Sequence, residues 1–250
     1  SNNWVAKYPG VLGNSLKVST CDSAAAFSSE LSGLSGLSAA ASVGATSLHL
    51  GIGCTATLSV GDKLVIVDSG TGEQDAVKVT ALSDHVGGAT ATISPALTKS
   101  VSAGATVTRK WGFFDVIDSA PGTSKFSTEG GASSSNDEIH VVIYDADGKW
   151  SGIEGTVLEK FDFMSVASNA KTDQGGINYF KEKINRNSKY IWWGGNVGSD
   201  NGSWGEALTG GSSFGTNSTP DYSALSGGVD DNGATEINND ILDVDKGYDL

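Results

Sequence analysis

Between residues 42 and 110 the chain alternates apolar and polar side chains with a period of two, a spacing that suits strands and leaves no room for an amphipathic helix. Leu48, Leu50 and Ile52 point one way while Ser47, His49 and Gly51 point the other, and Val77, Val79, Ala81 and Ala89, Ala91, Ile93 repeat the pattern. Turn residues separate these runs at Gly61-Asp62, Ser69-Gly70 and Gly87-Gly88. Five or six such strands predict a small all-β barrel or sandwich, about the least that can bury its own apolar face. Ser42-Val43-Gly44-Ala45-Thr46 echoes Ser102-Ala103-Gly104-Ala105-Thr106, which predicts equivalent turns before strands rather than a solenoid repeat.

The flanks have a different texture. Before residue 42 the pattern predicts a turn at Tyr8-Pro9-Gly10, a strand at Leu16 to Cys21, a short helix entered through Asp22 or Ser23 with Glu30 in its last turn, and a small-residue linker from Leu31 to Ala41. After Trp111, Ile139 to Tyr144 is apolar on both faces apart from His140, as a central strand is, and runs into the turn Asp145-Ala146-Asp147-Gly148. A second apolar run spans Val157 to Phe163. Residues 173 to 187 predict a helix, with Ile177, Phe180 and Ile184 on one face, followed by a strand at Tyr190 to Trp193. A Gly/Ser-rich loop covers 194 to 233, and a helix is expected from Glu236 with Ile237, Ile241 and Val244 on one face. The expected fold class is α+β: a mixed sheet with flanking helices, built from 1–37 and 111–250 and carrying the all-β unit at 42–110 as an insertion.

Charge narrows the partners. Sixteen Lys and Arg against 29 Asp and Glu give a formal net charge of −13, a field that repels phosphate backbones and anionic membranes. Nucleic acid and membrane insertion are not expected. The two cysteines, Cys21 and Cys54, are too few for a disulfide framework or a thiolate metal site and read as buried free thiols. The start at Ser1 and the stop at Tyr248-Asp249-Leu250 suggest part of a longer chain.

Several motifs resemble chemistry without its context. Gly211-Ser212-Ser213-Phe214-Gly215 matches a nucleophile elbow, but such an elbow needs a strand before it and a helix after it, and His49, His85 and His140 all precede Ser213. Leu225-Ser226-Gly227-Gly228 resembles a transport-ATPase signature with no phosphate loop to complete. Asp145-Ala146-Asp147-Gly148 and Asp230-Asp231-Asn232-Gly233 begin like calcium loops yet lack the later ligands, so turn-capping Asx residues are expected instead. His140 reads as a hydrogen-bonded sheet histidine, and Trp192-Trp193 as core and edge packing rather than a sugar platform. No catalytic residue, cofactor-binding residue or metal ligand is expected, and hence no cofactor.

Taken together, a set of segments resembles one family. Trp4-Val5-Ala6-Lys7-Tyr8-Pro9-Gly10 with Gly13-Asn14-Ser15-Leu16-Lys17-Val18, Asp118-Ser119-Ala120-Pro121-Gly122-Thr123-Ser124, Asn136-Asp137-Glu138-Ile139-His140-Val141-Val142 with Asp145-Ala146-Asp147-Gly148, and Gly155-Thr156-Val157-Leu158-Glu159-Lys160-Phe161 resemble, in this order, the contractile tail sheath proteins of myovirus-type bacteriophages, including T-even-like and cyanophage-like ones. Ser168-Asn169-Ala170-Lys171, Asn178-Tyr179-Phe180, Ser188-Lys189-Tyr190-Ile191-Trp192 and Leu225 with Gly227-Gly228-Val229-Asp230 continue the series. The resemblance implies a central portion without the terminal arms and C-terminal domain, and a structural role rather than an enzymatic one. It implies copies of the chain in stacked six-fold rings around a tail tube protein, bounded by baseplate and tail terminator proteins. Assembly in the host bacterial cytoplasm, residence in the virion tail and contraction during host cell entry follow from it. The competing expectation, from the acidic Ser/Thr/Gly-rich β-texture, is a secreted or virion glycan-binding or adhesion module.

Overall fold

The computed structural model describes residues 3–31, 36–73, 76–85, 87–195 and 203–230, without the side chains of residues 55, 56 and 85; the helix expected from Glu236 lies outside them. Its strands, in chain order, are β1 (Trp4–Ala6), β2 (Leu16–Cys21), β3 (Ser28–Leu31), β4 (Ser47–Gly51), β5 (Lys63–Asp68), β6 (Gly72–Glu73), β7 (Val77–His85), β8 (Gly88–Ser94), β9 (Thr106–Lys110), β10 (Glu138–Asp145), β11 (Thr156–Ser165), β12 (Ile191–Trp193) and β13 (Asp221–Ala224). The helices are α1 (Ala24–Phe27), α2 (Lys125–Glu129) and α3 (Phe180–Asn187). The fold is α+β and sheet-dominated, with 36% strand against 12% helix. All pairings between these strands are antiparallel; among the described residues parallel character is confined to the bridge between Ser165 and Tyr179.

One sheet has the order β11-β10-β2-β13, and a two-stranded ribbon pairs β1 with β12. β10 is central, as its unbroken apolar run requires, and its period of two feeds two different cores. Ile139, Val141 and Ile143 enter the main core with Phe180 and Ile184 of α3, Trp4, Trp193 and Trp204. Val142 on the opposite face packs with Cys21, Ala26, Trp111 and Ile117. Helix α3 is shorter than its periodicity suggests: Thr172 N–H donates to Gly176 O, Lys171 bridges Ile177, and Gly175 turns at φ +79°, so residues 173–177 form a turn.

The other sheet has the order β3-β9-β5-β7-β8-β4, with β6 on β5. Leu48, Leu50, Leu64, Ile66, Val77, Val79, Ala91 and Val107 fill its interior, and the alternation of Ala89, Ala91 and Ile93 holds along β8. Two expected phases break. Ile52 is 62% exposed, because a 3₁₀ turn (Ile52–Ala56) ends the alternation after Leu50. A register shift between Val79 and Ala81 turns Ala81 outward, as a bulge does by adding one residue to a strand of period two.

Residues before 42 depart further from expectation. The segment containing Glu30 is strand, not helix: α1 stops at Phe27, and β3 pairs Ser28–Leu31 with Lys110–Val107. The small-residue stretch read as a linker contributes Leu37 to the core, where it bridges Leu50 while its carbonyl accepts from Gly104 N–H; Ala41 bridges Val101. This segment therefore touches both the β4 edge and the approach to β9, closing the curled sheet. The echoed turns lie across the Ala41–Val101 bridge, with Ala45 N–H donating to Ser42 O and Ala105 N–H to Ser102 O; Gly44 and Gly104 turn at φ +83° and +81°, a conformation glycine adopts freely.

Chain exit and return meet at one point, since Trp111 N–H donates to Phe27 O at 2.8 Å. Replacing residues 28–110 with a two-glycine bridge is therefore expected to leave a cooperative thermal transition by calorimetry. Removing only 42–110 strands β3 without β9 and is expected to cost solubility; a cooperative, soluble 42–110 deletion beside an unfolded 28–110 deletion would reverse the assignment of β3.

Candidate functional site

The residues that organise the molecule are buried polar groups at the crossings between distant segments. α1 ends with carbonyls lacking helical partners, and Arg109 of β9 supplies donors to them: Nη1 to Ala26 O at 2.6 Å and Nη2 to Ala25 O, with Nη2 also reaching Ser218 O at 3.2 Å. Arg109 is fully buried, so its charge requires nearby compensation. Asp62, equally buried, sits within its field and accepts from Tyr222 Oη at 2.7 Å and Ser59 N–H at 2.8 Å. Burial pushes the Asp62 carboxyl up, against the pull of these bonds and of Arg109, and burial with the adjacent Asp62 charge pushes Tyr222 far up. Tyr222 Oη accepts from Gly112 N–H, and Trp111 Nε1 donates to Ser19 Oγ, which donates to Asp221 O. The two large sheets are thus joined by a continuous polar seam around the Trp111 ring.

Three carboxylates hold the remaining crossings. Asp145 ends β10 and accepts from Ser15 Oγ at 2.6 Å and from the N–H groups of Lys149, Trp150 and Ser151; burial would raise its carboxyl, but these bonds hold it at about 2. Asp137 accepts from Ser124 N–H and Oγ, Ser135 Oγ and Ser165 Oγ, which outweigh its burial and lower its pKa. Asp22 accepts from Asn217 N–H and Nδ2, yet burial dominates and lifts its carboxyl to about 6.

His140 is likewise consumed by the frame. Phe163 N–H donates to Nδ1 at 3.1 Å, so Nε2 carries the proton and donates to Ser119 O at 3.0 Å, and burial lowers the imidazole pKa. Phe163 holds φ +45°, unusual for an aromatic residue, and is pinned there by His140 and by Asn178 Nδ2 on its carbonyl.

Each motif singled out in the sequence, so far as it lies among the described residues, has a definite place there. Ser213 is exposed in a loop, its carbonyl accepting from Ser203 Oγ, with no strand before it or helix after it. His49 pairs with Thr90 on the outer face of β4, and His85 lies at the end of β7. Asp145 to Gly148 is an Asx-capped turn; Asp230 caps Val11 N–H, and Asp231 to Gly233 lie outside the described residues. Leu225 to Gly228 docks on Asn14, whose side chain bonds both N–H and C=O of Gly228; a Cβ on Gly228 would lie 2.0 Å from Gly10 O. Trp193 is buried against Trp4 and Phe180, while Trp192 is 45% exposed beneath Lys7 Nζ, 3.6 Å from its ring centroid. Cys21 and Cys54 are free, buried thiols whose pKa burial raises, Cys21 to about 12. Among the described residues no group of three or more His, Cys, Asp or Glu is arranged to hold a metal ion, and no helix is long and apolar enough to cross a membrane.

Sequence reasoning missed the bonding roles of Asp22, Asp62, Arg109 and Asp137, whose partners include groups as far as 195 positions away; the clearest signal was the pair of acidic residues Asp137-Glu138 directly before the apolar run Ile139–Tyr144. No family model matches the chain, and no curated protein and no solved structure is significantly similar to it.

Asp145→Asn places an amide N–H₂ among backbone donors, and a loss of about 2–3 kcal/mol in urea unfolding is expected from disrupted bonds to a charged acceptor; an unchanged midpoint would mean that the turn holds without it. Asp22 titrates with the opposite sign to Asp145. Its folded pKa lies above the unfolded value, so its contribution is present below pH ~4 and is lost as pH rises through about 6. His140, with a lowered pKa, loses stability as pH falls below its ordinary value, so the Asp22 effect is read as a difference between proteins. The melting temperature of Asp22→Asn relative to wild type is expected to be higher at pH 7.5 than at pH 4.5; a pH-independent difference would show that Asp22 does not titrate in this window.

Proposed function

We propose that this chain is a structural subunit of a bacteriophage contractile tail sheath, the part of the subunit that acts as a rigid body. The observation that supports the reading is the way the sheath-like segments bond to one another. Asn14 and Ser15 bind Gly228 and Asp145; Ser119, Gly122 and Ser124 bind His140, Glu138 and Asp137. Glu159 accepts from Ser188 Oγ and Lys189 N–H, and Asn178 N–H donates to Ala170 O. Residues that carry the resemblance are thus spent on holding distant segments in fixed relation, which is what a subunit needs if it is to move as a unit while its neighbours change position.

In this reading, copies stack as six-fold rings around a tail tube between baseplate and terminator. The free energy for driving the tube through the host envelope resides in the difference between two sets of contacts between subunits, and no bond chemistry is required of the subunit itself. The negative charge keeps free subunits soluble before assembly.

Electron microscopy of the full-length parent chain tests this: striped cylinders of uniform diameter are expected. A parent that stays dispersed at high concentration, both alone and with its tail tube protein, overturns the proposal.

A further inference from the structure

A groove runs along the junction of the two large sheets, beside Tyr222 of the polar seam. Two adjoining concavities of about 310 and 530 Å³ make it up, and they share Gly61, Lys78, Tyr144, Glu154, Gly155 and Tyr222. One end lies at Lys17 of β2 and the other at Lys63 of β5, with Lys78 of β7 between them, so the fold brings lysines from three strands to one cleft. Asp115 accounts for Lys63, its carboxylate lying 2.8 Å from Nζ. Among the described residues neither Lys17 nor Lys78 has a hydrogen bond or an ion pair, and the Tyr144 hydroxyl between them has no hydrogen-bond partner. Glu154 alone opposes these two charges along the described lining. Unpaired ammonium groups in a concave wall favour carboxylates, all the more in a chain whose other charges sum to a net −13. The lining is apolar as well: Val60 is 50% exposed at the Lys17 end, and Phe113, Val116 and Val157 lie at the Lys63 end.

A segment of the chain itself has the matching chemistry. Residues 231–250, which lie outside the described ones, contain Asp231, Glu236, Asp240, Asp243, Asp245 and Asp249 against the single Lys246. In the helical pattern expected from Glu236, Ile237, Ile241 and Val244 recur at i, i+4 and i+7, and Glu236, Asp240 and Asp243 recur with the same spacing one position earlier. An acidic stripe beside an apolar one is the complement of a groove with free lysines and exposed valine. Reach permits the contact. Asp230 is fixed on Val11 N–H at 2.7 Å, and Val11 opens the turn that leads into β2, the strand carrying Lys17. A segment of about 20 residues spans up to about 70 Å when extended, and tethering gives it a local concentration that a separate molecule lacks.

We propose that residues 236–246 dock back into this groove, with Glu236, Asp240 and Asp243 against Lys17 and Lys78 and the apolar stripe against Val60 and its neighbours. So placed, the segment straps the curled sheet to the α+β part, since Lys78 belongs to the one and Lys17 to the other. The strap does not depend on the assembly reading.

The test is zero-length carbodiimide cross-linking of the full chain, read by peptide mass spectrometry, on an equal mixture of unlabelled and nitrogen-15-labelled protein. The Lys63–Asp115 pair supplies an internal link that reports correct folding in every variant. Links from Lys17 and Lys78 to Glu236, Asp240 or Asp243 are expected within single copies, at higher yield than links from the same carboxylates to the exposed Lys149, Lys171 and Lys189. Lys17→Gln is expected to lower the yield at Lys78, and Lys78→Gln that at Lys17, by about 3-fold each, the loss of one exposed charge pair. Equal yields at the exposed lysines, yields unaffected by either substitution, or no link at Lys17 and Lys78 beside an intact Lys63–Asp115 link overturns the proposal. Links confined to pairs of unlike copies overturn it too, and give the groove to a second copy of the chain.

Discussion

A buried guanidinium draws its hydrogen bonds and its countercharge from the protein, and the two terminal nitrogens of Arg109, though not its Nε, are bonded to separate parts of the chain. Its donors close the end of α1 and hold Ser218, while Asp62 from the curled sheet lies close enough to balance it and Tyr222 from β13 closes on Asp62. None of these groups is tolerable buried alone, since an isolated charge in such a place costs several kcal/mol. The relative placement of the two large sheets is therefore set by electrostatic satisfaction as much as by the apolar cluster around Trp111. An apolar contact of that size could slide; a set of directed bonds from one fork cannot.

The same logic recurs at each crossing of the α+β part. Asp137 gathers Ser124, Ser135 and Ser165, and Asp145 gathers Ser15 and the turn at 149–151. Neutral hydroxyls and backbone amides around a carboxylate stabilise its ionised form without introducing a second charge. Asp22 has too few donors to offset its burial, which lifts its carboxyl to about 6, and burial raises the Asp62 carboxyl as well. Asp22 also anchors, through Asn217, the segment that leads into β13.

Several side chains singled out in the sequence hold segments together: His140 supports the left-handed Phe163, Asp145 caps its turn, and Asn14 clamps Gly228, whereas Ser213 is exposed in its loop. The surface around β1 and β12 is more aromatic than the rest, with Trp192 under Lys7 and Tyr8 packed on Trp150. Rigid, partly exposed aromatic surface is what contacts and ligands use, since it loses little conformational freedom on binding.

Local pattern alone determined the central strand, because Ile139 to Tyr144 is apolar on both faces apart from His140 and so has no face that a surface strand could turn to water, and it determined the β-character of 42–110, because a period of two cannot be buried on a helix. It also identified the two echoed turns through their glycines. Only the tertiary structure decided that Ser28–Leu31 is a strand, since its partner is β9, some 80 positions away, and that Leu37 is core, since leucines at every third position, Leu31, Leu34 and Leu37, do not follow a strand's period of two. Arg109, Asp62, Asp22 and Asp137 were legible only as charged residues in or beside apolar runs; which of them are buried, and what balances them, depends on segments that meet only after folding. Periodicity is a property of neighbours in the chain, whereas the compensation of a buried charge is a property of neighbours in space.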